Sequence, residues 1–97
     1  MKVLVRGRVQ GVSYRASMRE AALRYGIQGW VRNREDGTVE ALVQGEPPNV
    51  EKVLEWAKSG PRGSRVSRVE KELLEDYQEQ DGFKIVVPDW WEEEGEE

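Results

Sequence analysis

The chain contains neither histidine nor cysteine. A Ser-His-Asp triad, a cysteine nucleophile, an imidazole base, a Cys/His zinc site and a disulfide framework are therefore excluded. Nothing about the redox compartment can be read without cysteine. Long hydrophobic runs are also missing. No stretch approaches the roughly 18 apolar residues that a membrane span requires. No signal-peptide core follows the start. The expectation is a soluble, cytoplasmic protein with no membrane partner.

What is present suits one small domain. The 97 residues are 37% hydrophobic and 35% charged, enough apolar material for a single core. The net charge of −4 hides an asymmetry. Residues 1–45 hold eight basic and four acidic side chains, while residues 46–97 hold seven basic and fifteen acidic. The first half suits a small anionic ligand, whereas the whole chain repels an extended nucleic acid. Six carboxylates crowd the nine residues Asp89 to Glu97. That composition reads as a solvated tail, so residues 1–88 are expected to form the domain and 89–97 an acidic tail. Within the tail, Trp90-Trp91 is odd: the pair either docks or lies exposed.

Periodicity orders the elements. Val3, Val5, Gly7 and Val9 alternate with Lys2, Leu4, Arg6 and Arg8, the period of a strand. Tyr14, Met18, Ala21, Ala22 and Tyr25 share one helical face, and Gly26 is a stop. Gln28 to Arg34 reads as a second strand, Glu35-Asp36-Gly37 as a hairpin turn, and Thr38 to Gln44 as a third strand. Pro47 and Pro48 open a second helix with Val50, Val53, Leu54 and Ala57 as its apolar stripe. Gly60-Pro61 ends it. Arg65 to Leu74 reads as a fourth strand whose alternation slips, the mark of a bulge or an early end. A last strand runs from Phe83 to Val87 and stops at Pro88. The last two strand segments could pair as a hairpin extension. The order β-α-β-β-α-β predicts an α+β, ferredoxin-like sandwich: an antiparallel sheet with two helices on one face. Many activities share that scaffold, so function must come from the site.

The chemistry concentrates in Gly7-Arg8-Val9-Gln10-Gly11-Val12-Ser13-Tyr14-Arg15. A strand ends, a loop turns at Gly11, and a helix starts with Ser13 placed to act as N-cap. Helix starts and turning loops present unpaired backbone N–H groups, which form an anion cradle. Arg15 puts a cation in the first helical turn, against the macrodipole. A phosphate bound in the loop reverses that penalty, and the planar guanidinium grips two of its oxygens better than an ammonium does. The alternative is that Arg15 points away at the surface and the glycine merely turns the chain. Spacing alone leaves both readings open.

Asn33 lies near the end of the second strand, in phase with Val31. A buried carboxamide there is costly unless hydrogen-bonded, and its donor and acceptor could hold a water in fixed orientation. The other reading is that Asn33 simply opens the turn. Thr38 either extends a hydroxyl toward Asn33 or is an ordinary strand threonine. Asp36 with Glu35 makes a poor acid/base pair, because carboxylates in a turn are ordinarily solvated.

Taken together, Val5-Arg6-Gly7-Arg8-Val9-Gln10-Gly11-Val12-Ser13-Tyr14-Arg15 resembles the first signature of the acylphosphatase family. Gly29-Trp30-Val31-Arg32-Asn33, followed by Asp36-Gly37-Thr38-Val39-Glu40, resembles the second. The likeness continues through Gly45, Trp56, Gly60-Pro61, Val66 and Gly82-Phe83-Lys84-Ile85. The family usually has Phe where this chain has Tyr14. The resemblance implies hydrolysis of an acyl phosphate to a carboxylate and inorganic phosphate, without metal, cofactor or covalent phosphoenzyme. It further implies that Arg15 and the loop Arg8, Val9, Gln10, Gly11, Val12, Ser13 and Tyr14 bind the phosphoryl group, and that Asn33 positions the attacking water. A monomer whose only partners are the small-molecule acyl phosphate and its phosphate product is expected.

Two other functions compete. A ferredoxin-like nucleic-acid-binding module wants base-stacking aromatics on a basic sheet, and the strands here are mostly Val, Leu, Ala and Arg. A regulatory domain binding phosphate or carbamoyl phosphate without turnover would carry the same loop.

Overall fold

The structure, a computed structural model, describes residues 1–75 and 80–87. Seven elements follow in order: β1 (Lys2–Arg8), α1 (Tyr14–Arg24), β2 (Gln28–Asn33), β3 (Val39–Gln44), α2 (Pro47–Ser59), β4 (Arg65–Glu72) and β5 (Phe83–Ile85). The strands line up as β4-β1-β3-β2-β5 in one sheet. The expected ferredoxin-like α+β arrangement is present. The expected tail at 89–97, its Trp90-Trp91 pair and the stop at Pro88 lie outside the described residues. No helix among the described residues is long and apolar enough to cross a membrane.

Two expectations about the sheet are corrected. β4 and β5 do not form a hairpin; they occupy opposite edges. The physical reason is the crossover through α2, which delivers β4 beside β1, where it pairs antiparallel from Lys2↔Glu72 to Arg8↔Arg65. The chain then crosses to the far edge, and β5 pairs with β2 in parallel, Gly29↔Phe83 to Val31↔Ile85. The sheet is therefore mixed, with β1, β3 and β4 antiparallel to their neighbours. The ladder's last bond runs from the Val86 amide to the Val31 carbonyl, at 2.9 Å. Arg19 of α1 holds this short edge strand by donating to the Phe83 carbonyl at 2.9 Å.

The slipped alternation of β4 is a bulge. Arg6 faces Arg68 and Gly7 faces Val66, leaving Ser67 as the extra residue. Gly7 has φ +128°, and a Cβ there would collide with the Arg65 carbonyl oxygen. Only glycine lets the bulged strand approach so closely.

The core lies between the helices and the sheet's inner face. Val3, Val5 and Val9, with Val31, Val39, Ala41, Val43 and Phe83, pack against Tyr14, Met18 and Ala22 of α1 and Val53, Leu54 and Ala57 of α2. These are the inward phases and helical faces that the periodicity marked. On the other face, Glu40 is only 2% exposed. It is paired on both sides, with Lys2 at 3.0 Å and Arg32 at 2.7 Å. Burial pushes its carboxyl upward, but the hydrogen bonds from Lys2 and Arg32 outweigh burial and hold its pKa below the ordinary glutamate value.

A depressed folded-state pKa contributes stability above the unfolded-state pKa, lost as pH falls through the folded value. Glu40→Gln should lower stability at pH 7 by about 1–2 kcal/mol in urea denaturation. The gap to the parent protein should close as pH drops through the lowered pKa of Glu40.

Candidate active site

β1 runs out at Arg8, and α1 begins at Tyr14. The five residues between them make the loop. Gly11 has φ +77°, and Ser13 has φ 63° and ψ 24°. Ser13 is the only non-glycine residue with positive φ among the described residues. A left-handed serine costs about 1–2 kcal/mol and persists only where the surroundings over-determine it, commonly at functional sites.

This geometry corrects one expectation. Ser13 occupies the N-cap position, but its side chain makes no capping hydrogen bond. Side-chain capping needs an extended backbone at that residue, and a left-handed one aims the hydroxyl elsewhere. The Ser13 carbonyl still accepts the helix's first bond, from the Ser17 amide at 3.0 Å. No Ser13 side-chain oxygen claims the amides of the first turn. The two left-handed residues, Gly11 and Ser13, bend the backbone the way anion-binding nests do. No acidic side chain stands in that first turn.

Arg15 follows as the second residue of α1 and is partly buried. Burial lowers its pKa from the ordinary arginine value, because removing water disfavours the charged guanidinium. An anion nearby would offset that cost. Arg8 is exposed at the strand end and faces Arg65 across the ladder. Two arginines in register here raise the positive potential where the loop leaves the strand. Val9 is buried in the core, while Gln10 and Val12 are partly exposed.

Tyr14 is fully buried. Its hydroxyl donates to the Ala57 carbonyl of α2 at 2.7 Å, and its ring meets Trp56 at 5.1 Å between centroids. Burial pushes the phenol's pKa up. Ala57 lies in the last turn of α2, where carbonyls lack intrahelical donors. The phenol that replaces the usual Phe therefore supplies one of them and ties the start of α1 to the end of α2.

Asn33 is the last residue of β2, opposite Val39 of β3. It shares the inward phase of Val31 and is 6% exposed. Its Oδ1 is the one buried side-chain oxygen or nitrogen without a hydrogen-bond partner among the described residues. The turn beyond it is self-contained. The Arg34 amide donates to the Thr38 carbonyl at 2.8 Å, and the Gly37 amide to the Arg34 carbonyl at 3.1 Å. The Asp36 carboxylate accepts the Thr38 amide at 3.0 Å and the Thr38 hydroxyl at 2.6 Å. Those two bonds, the hydroxyl's first, hold the Asp36 pKa below its usual value. Thr38 thus spends its hydroxyl inside the turn, not on Asn33, and it precedes β3 instead of starting it. Asp36 is likewise occupied with turn geometry.

One residue links the loop to this turn. Gln10 Nε2 donates to the Arg34 carbonyl at 2.8 Å and to the Thr38 carbonyl at 2.9 Å. The structure therefore brings the loop beside the strand end that carries Asn33, although β3 lies between β1 and β2. The sequence offered no signal for this bridge, because both acceptors are main-chain carbonyls.

A left-handed loop at a helix start, with a partly buried arginine beside it and the end of β2 tied to it through Gln10, sits on a small α+β domain, a geometry that suits an anion. The comparisons sharpen that class. The acylphosphatase family model matches residues 1–85. A protein of Pyrobaculum islandicum named acylphosphatase is 53% identical over 83 residues, covering 84% of this chain and 87% of that protein. One of Acidovorax sp. (strain JS42), also named acylphosphatase, is 61% identical over 66 residues, 68% of each chain. The crystal structure of acylphosphatase from Bacillus subtilis superposes with a TM-score of 0.85 at 33% identity, over 88% of this chain and 94% of that one. The chain belongs to the acylphosphatase family, enzymes that hydrolyse acyl phosphates.

Tyr14→Phe should strand the Ala57 carbonyl in an apolar setting. The expected loss is about 1–2 kcal/mol, read as a lower midpoint in urea with unchanged slope.

Proposed function

We propose that the backbone amides of the loop from Arg8 to Tyr14, together with the Arg15 guanidinium, bind the phosphoryl group of the acyl phosphate, and that Asn33 holds the attacking water. The observation that carries the assignment is the Asn33 side-chain oxygen, buried and without a partner. Such an oxygen costs about 1–3 kcal/mol. A water that donates to it removes that cost and acquires a fixed orientation.

The reaction asks little of side-chain acids and bases. Water oxygen bonds to phosphorus, the bond between phosphorus and the carboxyl oxygen breaks, and the carboxylate leaves with the bonding electrons. A carboxylate is a good leaving group and needs no proton. Catalysis then rests on positioning and on compensating charge over the phosphoryl oxygens. Loop amides and one guanidinium supply that compensation without waiting for a proton. One of the water's hydrogens stays on the attacking oxygen and the other passes to a phosphate oxygen, giving dihydrogen phosphate, which re-equilibrates with bulk water after release. A chain without histidine or cysteine, whose Asp36 is held ionised by Thr38, is suited to such a route.

The same reading makes the enzyme a cytoplasmic monomer of one domain, residues 1–88, with the acidic segment 89–97 outside the chemistry. The net charge of −4 argues against a nucleic-acid partner.

Two substitutions separate the roles. Arg15→Ala should weaken competitive inhibition by inorganic phosphate and reduce turnover by roughly 100-fold or more, since a lost charge-assisted contact is worth about 1.5–3 kcal/mol and the transition state carries more charge. Asn33→Ala should lower kcat while leaving phosphate inhibition nearly unchanged. An Asn33→Ala enzyme that lost affinity alone would refute the water-holding role. The pH–rate profile between 6 and 8 should show no ionisation of an enzyme base.

A further inference from the structure

Gln10 sits in the middle of the anion loop, but its side-chain amide is committed elsewhere. A primary carboxamide has two N–H donors. Here one goes to the Arg34 carbonyl and the other to the Thr38 carbonyl, at 2.8 and 2.9 Å. These are the two ends of the turn that follows Asn33. Arg34 is the residue next to Asn33, and Thr38 precedes Val39, the cross-strand partner of Asn33. The bridge therefore grips both flanks of Asn33 at once.

No ladder makes this connection. β1 and β2 are separated by β3, so regular pairing relates the loop to Asn33 only through two successive ladders. The loop itself has two left-handed residues and lies outside the sheet. Its position relative to the end of β2 needs a direct tie, and the Gln10 amide is one.

We infer that Gln10 is a positioning residue of the hydrolytic site. It sets the distance between the loop amides that hold the phosphoryl group and the Asn33 oxygen that holds the water. The inference rests on the roles given to the loop and Asn33 under the proposed function. In-line attack tolerates little error, a misplacement of about 1 Å costing roughly 100-fold in rate. A loosened bridge therefore affects kcat more than binding, because phosphate needs only the loop and Arg15.

The test is a cycle of four enzymes: parent, Gln10→Met, Asn33→Ala and the double variant. Hydrolysis of benzoyl phosphate gives kcat and KM, competition by inorganic phosphate gives affinity, and thermal melting checks folding. Gln10→Met keeps the side chain's length but has no donor. It should lower kcat by about 10- to 100-fold with little change in phosphate inhibition. In the Asn33→Ala background the same substitution should cost almost nothing, because the group it positions is gone. Equal losses in both backgrounds, or a Gln10→Met enzyme within about twofold of the parent, would overturn the inference. The roles of Asn33 and Gln10 fail separately: an Asn33→Ala enzyme with undiminished kcat refutes the water-holding role itself, whereas a normal Gln10→Met enzyme beside an impaired Asn33→Ala enzyme refutes only the bridge. If Gln10→Met melts too low to assay, Gln10→Glu replaces it. Its carboxylate faces two carbonyl oxygens and donates only when protonated, so its kcat should rise relative to the parent as pH falls. A flat ratio across the acid range contradicts the bridge.

Discussion

The site we propose depends on one constraint: a carboxamide oxygen buried at the end of a strand with nothing to accept from. Buried polar groups are nearly always satisfied, and each exception asks for a cause. Asn33 could have turned outward, as turn-opening asparagines do, and met solvent. Instead β2 ends in phase with Val31 and carries the side chain inward. Pairing with Val39 of β3 and the turn bonds between Asp36 and Thr38 hold the strand end in that phase. The left-handed Ser13 across the site is a second local cost of the same kind. In the proposed site, Gln10 joins these two features into one device: a loop that offers donors and an oxygen that lacks one.

The rest of the molecule holds these parts in place. The Tyr14 hydroxyl ties the start of α1 to the last turn of α2. Arg19 ties the middle of α1 to β5. The bulge at Ser67 and the close approach at Gly7 shape β1 just before the loop departs. On the opposite face, Glu40 collects Lys2 from β1 and Arg32 from β2 around the central strand. Rigidity at the site thus comes from elements on both faces of the sheet, which suits a reaction governed by positioning rather than proton transfer.

Much of this was legible in the sequence because it is periodic. The inward valines of β1 and β3 and the face of α1 from Tyr14 to Ala22 follow from spacing alone, and so does the hairpin around Gly37. The slip in β4 announced its bulge. What spacing could not show was long-range. Whether β4 and β5 pair or part is decided by the crossover through α2, not by either strand's residues. Ser13 reads as a cap because serine before a helix usually caps, and its positive φ leaves no mark in the sequence. The Gln10 bridge is invisible for a different reason: any residues at 34 and 38 would present the same carbonyls. Arg15 and Asn33 stood out through the two signature stretches, and their neighbours' bonds required the coordinates.

The most direct check is a crystal structure of the enzyme with a bound phosphate or sulfate. The account expects the anion among the main-chain amides between Val9 and Arg15 and within reach of the Arg15 guanidinium, with an ordered water donating to Asn33 Oδ1 on the side facing phosphorus or sulfur. An anion seated elsewhere, or Asn33 Oδ1 bonded to a protein group in the occupied site, would contradict it.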